Sequence, residues 1–271
     1  MPFAEHFVEF KGLKVHLIEA GHGLPILIMH GVGPGTSVEG NYAAILEGLA
    51  KRYHVIGVDL IGFGKSQRKP SPPYFDFPFW LEQVQFVFDT IEGTEVGLIG
   101  HSLSGALALR LAARNQRRVK RVLTTGCAGR SFPMNRYLDR VWTFPQTRED
   151  LRTAMSVAMW DKSGLNDAFL DDRLAKLNQP GYREYFSQLF PVDRQPLIDS
   201  WAIDDAELKQ IKAKVLMIHG RDDLPLPYAE TTASLAPVIA QADIHLVAQC
   251  GHSPAVEHPA TVLGLAQLLF G

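Results

Sequence analysis

Short, continuous apolar runs alternating with stretches of helical period constrain this chain more than any other feature. The runs are Val15–Ala20, Pro25–His30, His54–Asp59, Val96–Gly100 and Val119–Thr125, and two more lie late in the chain at Val215–His219 and Ile244–Val247. Each is short enough for a strand, and most are apolar throughout instead of alternating, as in strands of a parallel sheet buried on both faces. Helical patterns separate them at Asn41–Arg52, Phe79–Ile91, Leu103–Asn115, Tyr228–Leu235 and Pro259–Phe270. Such alternation predicts an α/β protein with a mostly parallel sheet and right-handed crossovers. At 271 residues the chain is long enough to bury a large core.

The alternation stops near Gly129 and resumes at Val215–His219. The residues between carry Pro145, Pro180, Pro191 and Pro196 and no convincing strand, so they read as several short helices. The expected organisation is a core of residues 1–129 and 211–271 with a helical insertion, 130–210, between two strands of one sheet. Residues 131–205 hold eleven of the 26 aromatic side chains and three of the six methionines. They can pack the insertion onto the sheet and also line an apolar pocket.

Several function classes are excluded by charge and composition. A net charge of −2 leaves no excess of cations to follow a phosphate backbone, so no nucleic-acid partner is expected. The basic run Arg114–Arg118 with Lys120–Arg121 falls at a helix end, where it complements the helix dipole. Cys127 and Cys250 form neither a disulfide framework nor a metal-ligand pair, and no metal is expected. No stretch reaches the apolar length of a membrane span, and the first residues carry Glu5 and Glu9 instead of an export leader, so the expectation is a cytoplasmic protein.

The chemistry is concentrated in turns. In Gly97-Leu98-Ile99-Gly100-His101-Ser102-Leu103-Ser104-Gly105 an apolar strand runs directly into a helix with a serine at the junction. A side chain there sits on a strained turn that closes only if its neighbours two positions away are small, and Gly100 and Ser104 meet that need. The bland alternative is a glycine-rich helix start with a serine cap. A serine hydroxyl needs a base. His252, in the turn Gly251-His252-Ser253-Pro254 after the last strand, is the best candidate; His16, His30, His54, His219 and His245 lie in or at strands and read as structural. The base needs an orienting carboxylate, which the loop after Val215–His219 offers as Asp222 or Asp223. The backbone N–H of Leu103, and that of Val32 in His30-Gly31-Val32-Gly33-Pro34-Gly35, are candidate donors to an oxyanion. Neither glycine segment fits a nucleotide loop: one lacks the G-x-G-x-x-G spacing, and the Gly64-Lys65-Ser66 turn has Asp59 where a P-loop needs glycine.

Taken together, the turn at Ser102, the loop His30–Gly35, the turn Asp59-x-x-Gly62-x-Gly64-x-Ser66, Gly220-x-x-Asp223 and Gly251-His252 resemble the α/β-hydrolase superfamily over nearly the whole chain. The resemblance implies the α/β-hydrolase fold with a helical lid, selects Asp223 as the acid, and implies a Ser102–His252–Asp223 triad. His30–Gly35 followed by Asn41, Ser131-Phe132-Pro133, Phe190-Pro191 with Arg194-Gln195, and Cys250-Gly251-His252 with Glu257-His258 look further like the meta-cleavage product hydrolases. Those enzymes cut a C–C bond in 2-hydroxy-6-oxo-hexa-2,4-dienoates without a cofactor. The resemblance implies a small-molecule substrate contacted by Gly31, Gly33, Asn41, His101, Arg173 and Ser253, with Asn41 and Arg173 on the dienoate end. The chain departs from that family at His101, where Asn is usual, at Ser253, often Trp, and at Ser104, usually Gly. A carboxylesterase or lactonase on the same fold is the alternative, and a ligand-sensing receptor with slow hydrolysis is a third reading. The acyl-side group and any homo-oligomer are left open.

Overall fold

A computed structural model describes residues 3–271. Eight strands form one sheet: β1 (Ala4–Phe10), β2 (Leu13–Ala20), β3 (Pro25–Met29), β4 (His54–Val58), β5 (Val96–His101), β6 (Val119–Thr125), β7 (Lys214–Gly220) and β8 (Ala242–Val247). Their order is β1-β2-β4-β3-β5-β6-β7-β8. β2 is antiparallel to both β1 and β4, and the remaining pairs are parallel. The continuous apolar runs are explained by cover on both faces. In β3, Ile26 and Ile28 pack into one hydrophobic layer, while Leu27 and Met29 pack into the other, all four fully buried. Each such side chain contributes about 1.5–3 kcal/mol.

The strand β1 has no counterpart in the apolar pattern. It is a half-exposed edge strand, joined to β2 by a two-residue turn in which Lys11 and Gly12 both take positive φ, 51° and 77°. That geometry matches the twist of an antiparallel hairpin.

On one face lie α1 (Val38–Ala50), α11 (Pro254–Glu257) and α12 (Pro259–Phe270); α2 (Phe77–Thr90) and α3 (Leu103–Arg114) cover the other. α1 begins three residues earlier than its apolar period suggests, because Ser37 caps it by accepting from the Gly40 N–H at 3.1 Å. The expected helix Tyr228–Leu235 is a correction: only α10 (Thr232–Leu235) is helical, since the chain first makes turns in which the N–H groups of Glu230 and Thr231 donate to Pro227. The basic run serves two helix ends. Arg114 lies in the last turn of α3, while the Arg118 guanidinium donates to carbonyls of Ile91, Gly93 and Phe88 at the end of α2.

Between the neighbouring strands β6 and β7 the chain makes α4 (Arg136–Val141), α5 (Arg148–Ser156), α6 (Asp167–Leu177), α7 (Tyr182–Leu189), α8 (Gln195–Ser200) and α9 (Asp205–Leu208). Aromatic packing knits these together: Trp142 stacks on Phe190 at 4.9 Å and meets Trp201 edge-on at 5.6 Å.

Candidate active site

Ser102 sits between β5 and α3 with φ 56° and ψ −124°, a region non-glycine residues rarely occupy. The strain is held by three backbone bonds. The Ser102 N–H donates to Thr125 at 2.9 Å, and its carbonyl accepts from Gly105 at 2.9 Å and Ala128 at 3.0 Å. Smallness at residue 100 is a hard requirement, because a Cβ there would lie 2.2 Å from the Ser104 carbonyl oxygen. Ser104 does more than fit. Its buried hydroxyl donates to the His30 carbonyl at 2.5 Å, tying α3 to the loop after β3.

The three residues selected from turns converge. His252 Nε2 is 3.0 Å from Ser102 Oγ, and His252 Nδ1 is 2.7 Å from Asp223 Oδ2. All three are at least nine-tenths buried. Asp222 points elsewhere and accepts from the Gln249 N–H at 3.0 Å. Burial alone would raise the Asp223 carboxyl, but the His252 charge and the hydrogen bonds from His219 and His252 outweigh it and hold Asp223 well below the usual carboxylate range. Asp223 therefore remains a carboxylate at any working pH, His252 carries its proton on Nδ1, and Nε2 is free to accept from the serine.

One partner of Asp223 was not legible in the sequence. His219 Nε2 lies 3.0 Å from Asp223 Oδ2 and 2.9 Å from the Leu226 carbonyl, while Nδ1 meets Thr232 Oγ1 at 2.7 Å. Both neighbours of Nε2 are acceptors, so Nε2 bears the proton and Nδ1 accepts from the threonine. With the Leu226 N–H on Oδ1 at 2.9 Å, three donors fix the carboxylate. The period of β7 marks His219 as a strand residue and gives no sign of this role.

The loop after β3 approaches the serine closely. A Cβ on Gly31 would lie 2.9 Å from the Ser102 Cβ and 2.9 Å from the His101 ring, so only glycine fits. The Gly31 N–H donates to Asn41 Oδ1 at 2.9 Å, which makes Asn41 a brace for this loop as well as a wall of the cavity. His30 is structural, as its position predicts: Nδ1 faces the Gly31 carbonyl at 2.5 Å and Nε2 accepts from the Leu60 N–H at 2.9 Å. The Gly64-Lys65-Ser66 turn is closed on the buried Asp59, whose side chain accepts from the Lys65 N–H and whose carbonyl accepts from the Ser66 hydroxyl. The N–H groups of Val32 and Leu103 have no acceptor among the described residues.

Several of these residues line a cavity beside Ser102. Gly31, Val32, Gly33, Asn41, His101, Ser102, His252 and Ser253 face it from the core. The insertion supplies Leu138, Val141, Trp142, Met155, Ala158 and Arg173. Arg173 is 7% exposed, donates from Nη1 to the Pro34 carbonyl at 2.7 Å, and lies 5.1 Å from the Phe169 ring. Among the described residues no carboxylate lies within ion-pair reach of it. His101 is held by its Nδ1, 3.0 Å from the Thr125 carbonyl, and burial followed by repulsion from His252 pushes its value down to about 3. The insertion also reaches the base loop: the His252 N–H donates to the Ala158 carbonyl at 2.7 Å. Glu257 accepts from the N–H groups of Gly251, Trp160 and Asp161 at 2.9, 2.7 and 3.1 Å.

A serine hydroxyl on a strained strand–helix turn, an imidazole within reach of it, and a buried carboxylate behind the imidazole make up the machinery of acyl transfer. The chain belongs to the alpha/beta hydrolase family, whose profile matches residues 26–265. Within that family it is similar to hydrolases of meta-cleavage products. It is 34% identical over 254 residues to a 2-hydroxymuconate semialdehyde hydrolase of Pseudomonas sp. (strain CF600), covering 94% of this chain and 89% of that protein. It is 32% identical to a 2-hydroxy-6-oxo-2,4-heptadienoate hydrolase of Pseudomonas putida, covering 91% and 88%. In three dimensions it matches a meta-cleavage product hydrolase from Pseudomonas fluorescens IP01 with a TM-score of 0.90 and 30% identity, over 96% of this chain and 94% of that one.

Proposed function

We propose that the protein hydrolyses the C–C bond of a 2-hydroxy-6-oxo-hexa-2,4-dienoate, with Ser102 as nucleophile, His252 as base and acid, and Asp223 as the group that orients it. The observation that carries the substrate class is Arg173. A buried guanidinium without a carboxylate partner is costly to keep in a protein, and it borders the same cavity as Ser102. A substrate bearing its own carboxylate supplies the missing charge, and a bidentate pair fixes its register. The similarity to hydrolases named for such dienoates points the same way.

In this reading the dienol first becomes a keto form, which provides an electron sink beside the bond to be broken. Ser102 gives its proton to His252 Nε2 and its Oγ attacks the 6-oxo carbon. The resulting oxyanion is held by the N–H groups of Val32 and Leu103, each worth about 3 kcal/mol. As the C5–C6 bond breaks, its electron pair passes into the leaving dienolate, which His252 protonates. Water, activated by His252, then cleaves the acyl-Ser102 ester. Asn41, whose carbonyl already braces Gly31, offers its amide N–H groups to the dienoate end. Gly31 and Gly33 admit the substrate close to the backbone, and His101 and Ser253 border the reacting centre. Residues 130–210 act as the lid that brings Arg173 over the site and excludes water.

A carboxylesterase or lactonase would use the same three residues but has no use for a buried cation. Loss of the dienoate chromophore and release of p-nitrophenol from a short ester discriminate the two. Ser102→Ala is expected to abolish both activities by at least about 10³-fold. Arg173→Ala is expected to raise KM for the dienoate about tenfold or more while leaving the ester within about threefold. Equal loss on both, or an ester preferred by the parent, would overturn the C–C reading.

A further inference from the structure

The His101 imidazole has one nitrogen the fold does not use. Its Nδ1 faces the Thr125 carbonyl at 3.0 Å and the Thr125 hydroxyl at 3.1 Å; the hydroxyl can act either way but the carbonyl only accepts, so the proton sits on Nδ1 and Nε2 is a bare acceptor. Nε2 has no partner among the described residues. It is also absent from the sealed, unpartnered polar atoms, which are Arg110 Nε, Thr124 Oγ1 and Tyr185 OH, so it opens onto the cavity that His101 lines. Its near neighbour is Gly31, where even an added Cβ would stay 3.5 Å away. The ring lies 4.8 Å from the His252 ring, centroid to centroid, at an interplanar angle of 46°. Two imidazoles at that separation, each with an acceptor nitrogen beside Ser102, suit a small molecule with two hydrogens to donate.

We propose that His101 is a catalytic residue of the second half-reaction: its Nε2 accepts one hydrogen of the deacylating water while His252 Nε2 takes the other. The proposal rests on the acyl-enzyme reading above. In the step, the water oxygen bonds to the acyl carbon and one proton passes to His252. The other hydrogen stays on the oxygen, pointed at His101. The tetrahedral intermediate then collapses, the C–Oγ bond breaks with its electron pair on Ser102 Oγ, and Oγ recovers the proton from His252. The product leaves as the free acid, and His101 is unchanged throughout. Its depressed basicity, from burial and from the nearby His252, keeps it an acceptor over the working pH range.

Methanol tests this directly, because it has one O–H to give His252 and none for His101. The heptadienoate substrate and p-nitrophenyl acetate both yield acetyl-Ser102. Each is turned over in dilute methanol, and the ratio of methyl acetate to acetate is measured. His101→Leu is expected to raise that ratio about tenfold, the effect of one lost hydrogen bond on the water path alone. His101→Gln, which can present an amide oxygen, is expected to restore part of it. Only folded, reacting enzyme contributes to the ratio, so partial misfolding does not mask the result. An unchanged ratio in His101→Leu would overturn the role. Different parent ratios from the two substrates would instead overturn the shared acyl-enzyme, and with it the mechanism on which this role depends.

Discussion

Replacing Asp223 by Asn changes one atom at the most constrained point of the site. The carboxylate accepts from three donors: His252 Nδ1 and His219 Nε2 on Oδ2, and the Leu226 N–H on Oδ1. An amide has one acceptor oxygen. If that oxygen stays with Leu226, the amide NH₂ faces two imidazoles. His219 cannot adapt, since its Nε2 also needs to donate to the Leu226 carbonyl. His252 can, by moving its proton to Nε2, but it then donates to Ser102 and can no longer act as a base. If the amide turns the other way, its NH₂ meets the Leu226 N–H in a fully buried place. The first arrangement sets the amide NH₂ against the His219 N–H and leaves His252 with the wrong tautomer, and the tautomer alone costs about 10⁴-fold in kcat. At 1.36 kcal/mol per tenfold, that is about 5.5 kcal/mol of transition-state stabilisation. The assay is steady-state loss of the dienoate chromophore, with circular dichroism to confirm folding. A folded Asp223→Asn protein within tenfold of the parent would refute both the tautomer argument and the acid's assignment.

Two more predictions follow from the surroundings of the triad. His101 is pushed to about 3 in the folded protein, whereas the unfolded chain binds that proton near 6.5. Stability should therefore fall as pH drops below about 6.5, by up to about 1.4 kcal/mol per pH unit, and stop falling from this source near pH 3. His101→Asn removes that component, so urea denaturation of parent and variant between pH 6 and 4 should converge or cross; parallel curves would show that His101 stays neutral in neither state or in both. Glu257→Ala strands the N–H groups of Gly251, Trp160 and Asp161, which should cost about 2 kcal/mol, lower Tm by several degrees and speed proteolytic nicking near residues 158–163. Unaltered Tm and cleavage would mean that Glu257 does not tie the insertion to the His252 loop.

The strands and the candidate side chains Ser102 and His252 could be read from the chain itself because their signals are local, whereas the residues alone left Asp222 and Asp223 both open as the acid. A strand buried on both faces is apolar along its length, and a strained turn demands small residues within two positions of Ser102. The edge strand β1 escaped that reading because an edge strand needs no apolar run, and the Tyr228–Leu235 helix shrank because turns at Pro227 use its first backbone donors. Contacts between distant segments were decided by the packed structure alone. Ser104 bonds to His30 from 74 residues away, and Glu257 holds Trp160 from 97 away. His219 is only four residues from Asp223, yet no periodicity announces that it shares that carboxylate, and nothing near Arg173 announces that no carboxylate comes within ion-pair reach of it at the cavity. Local sequence chooses which groups can react; where the backbone brings them, and which of them find partners on the way, depends on the closing of long loops that no short window of residues contains.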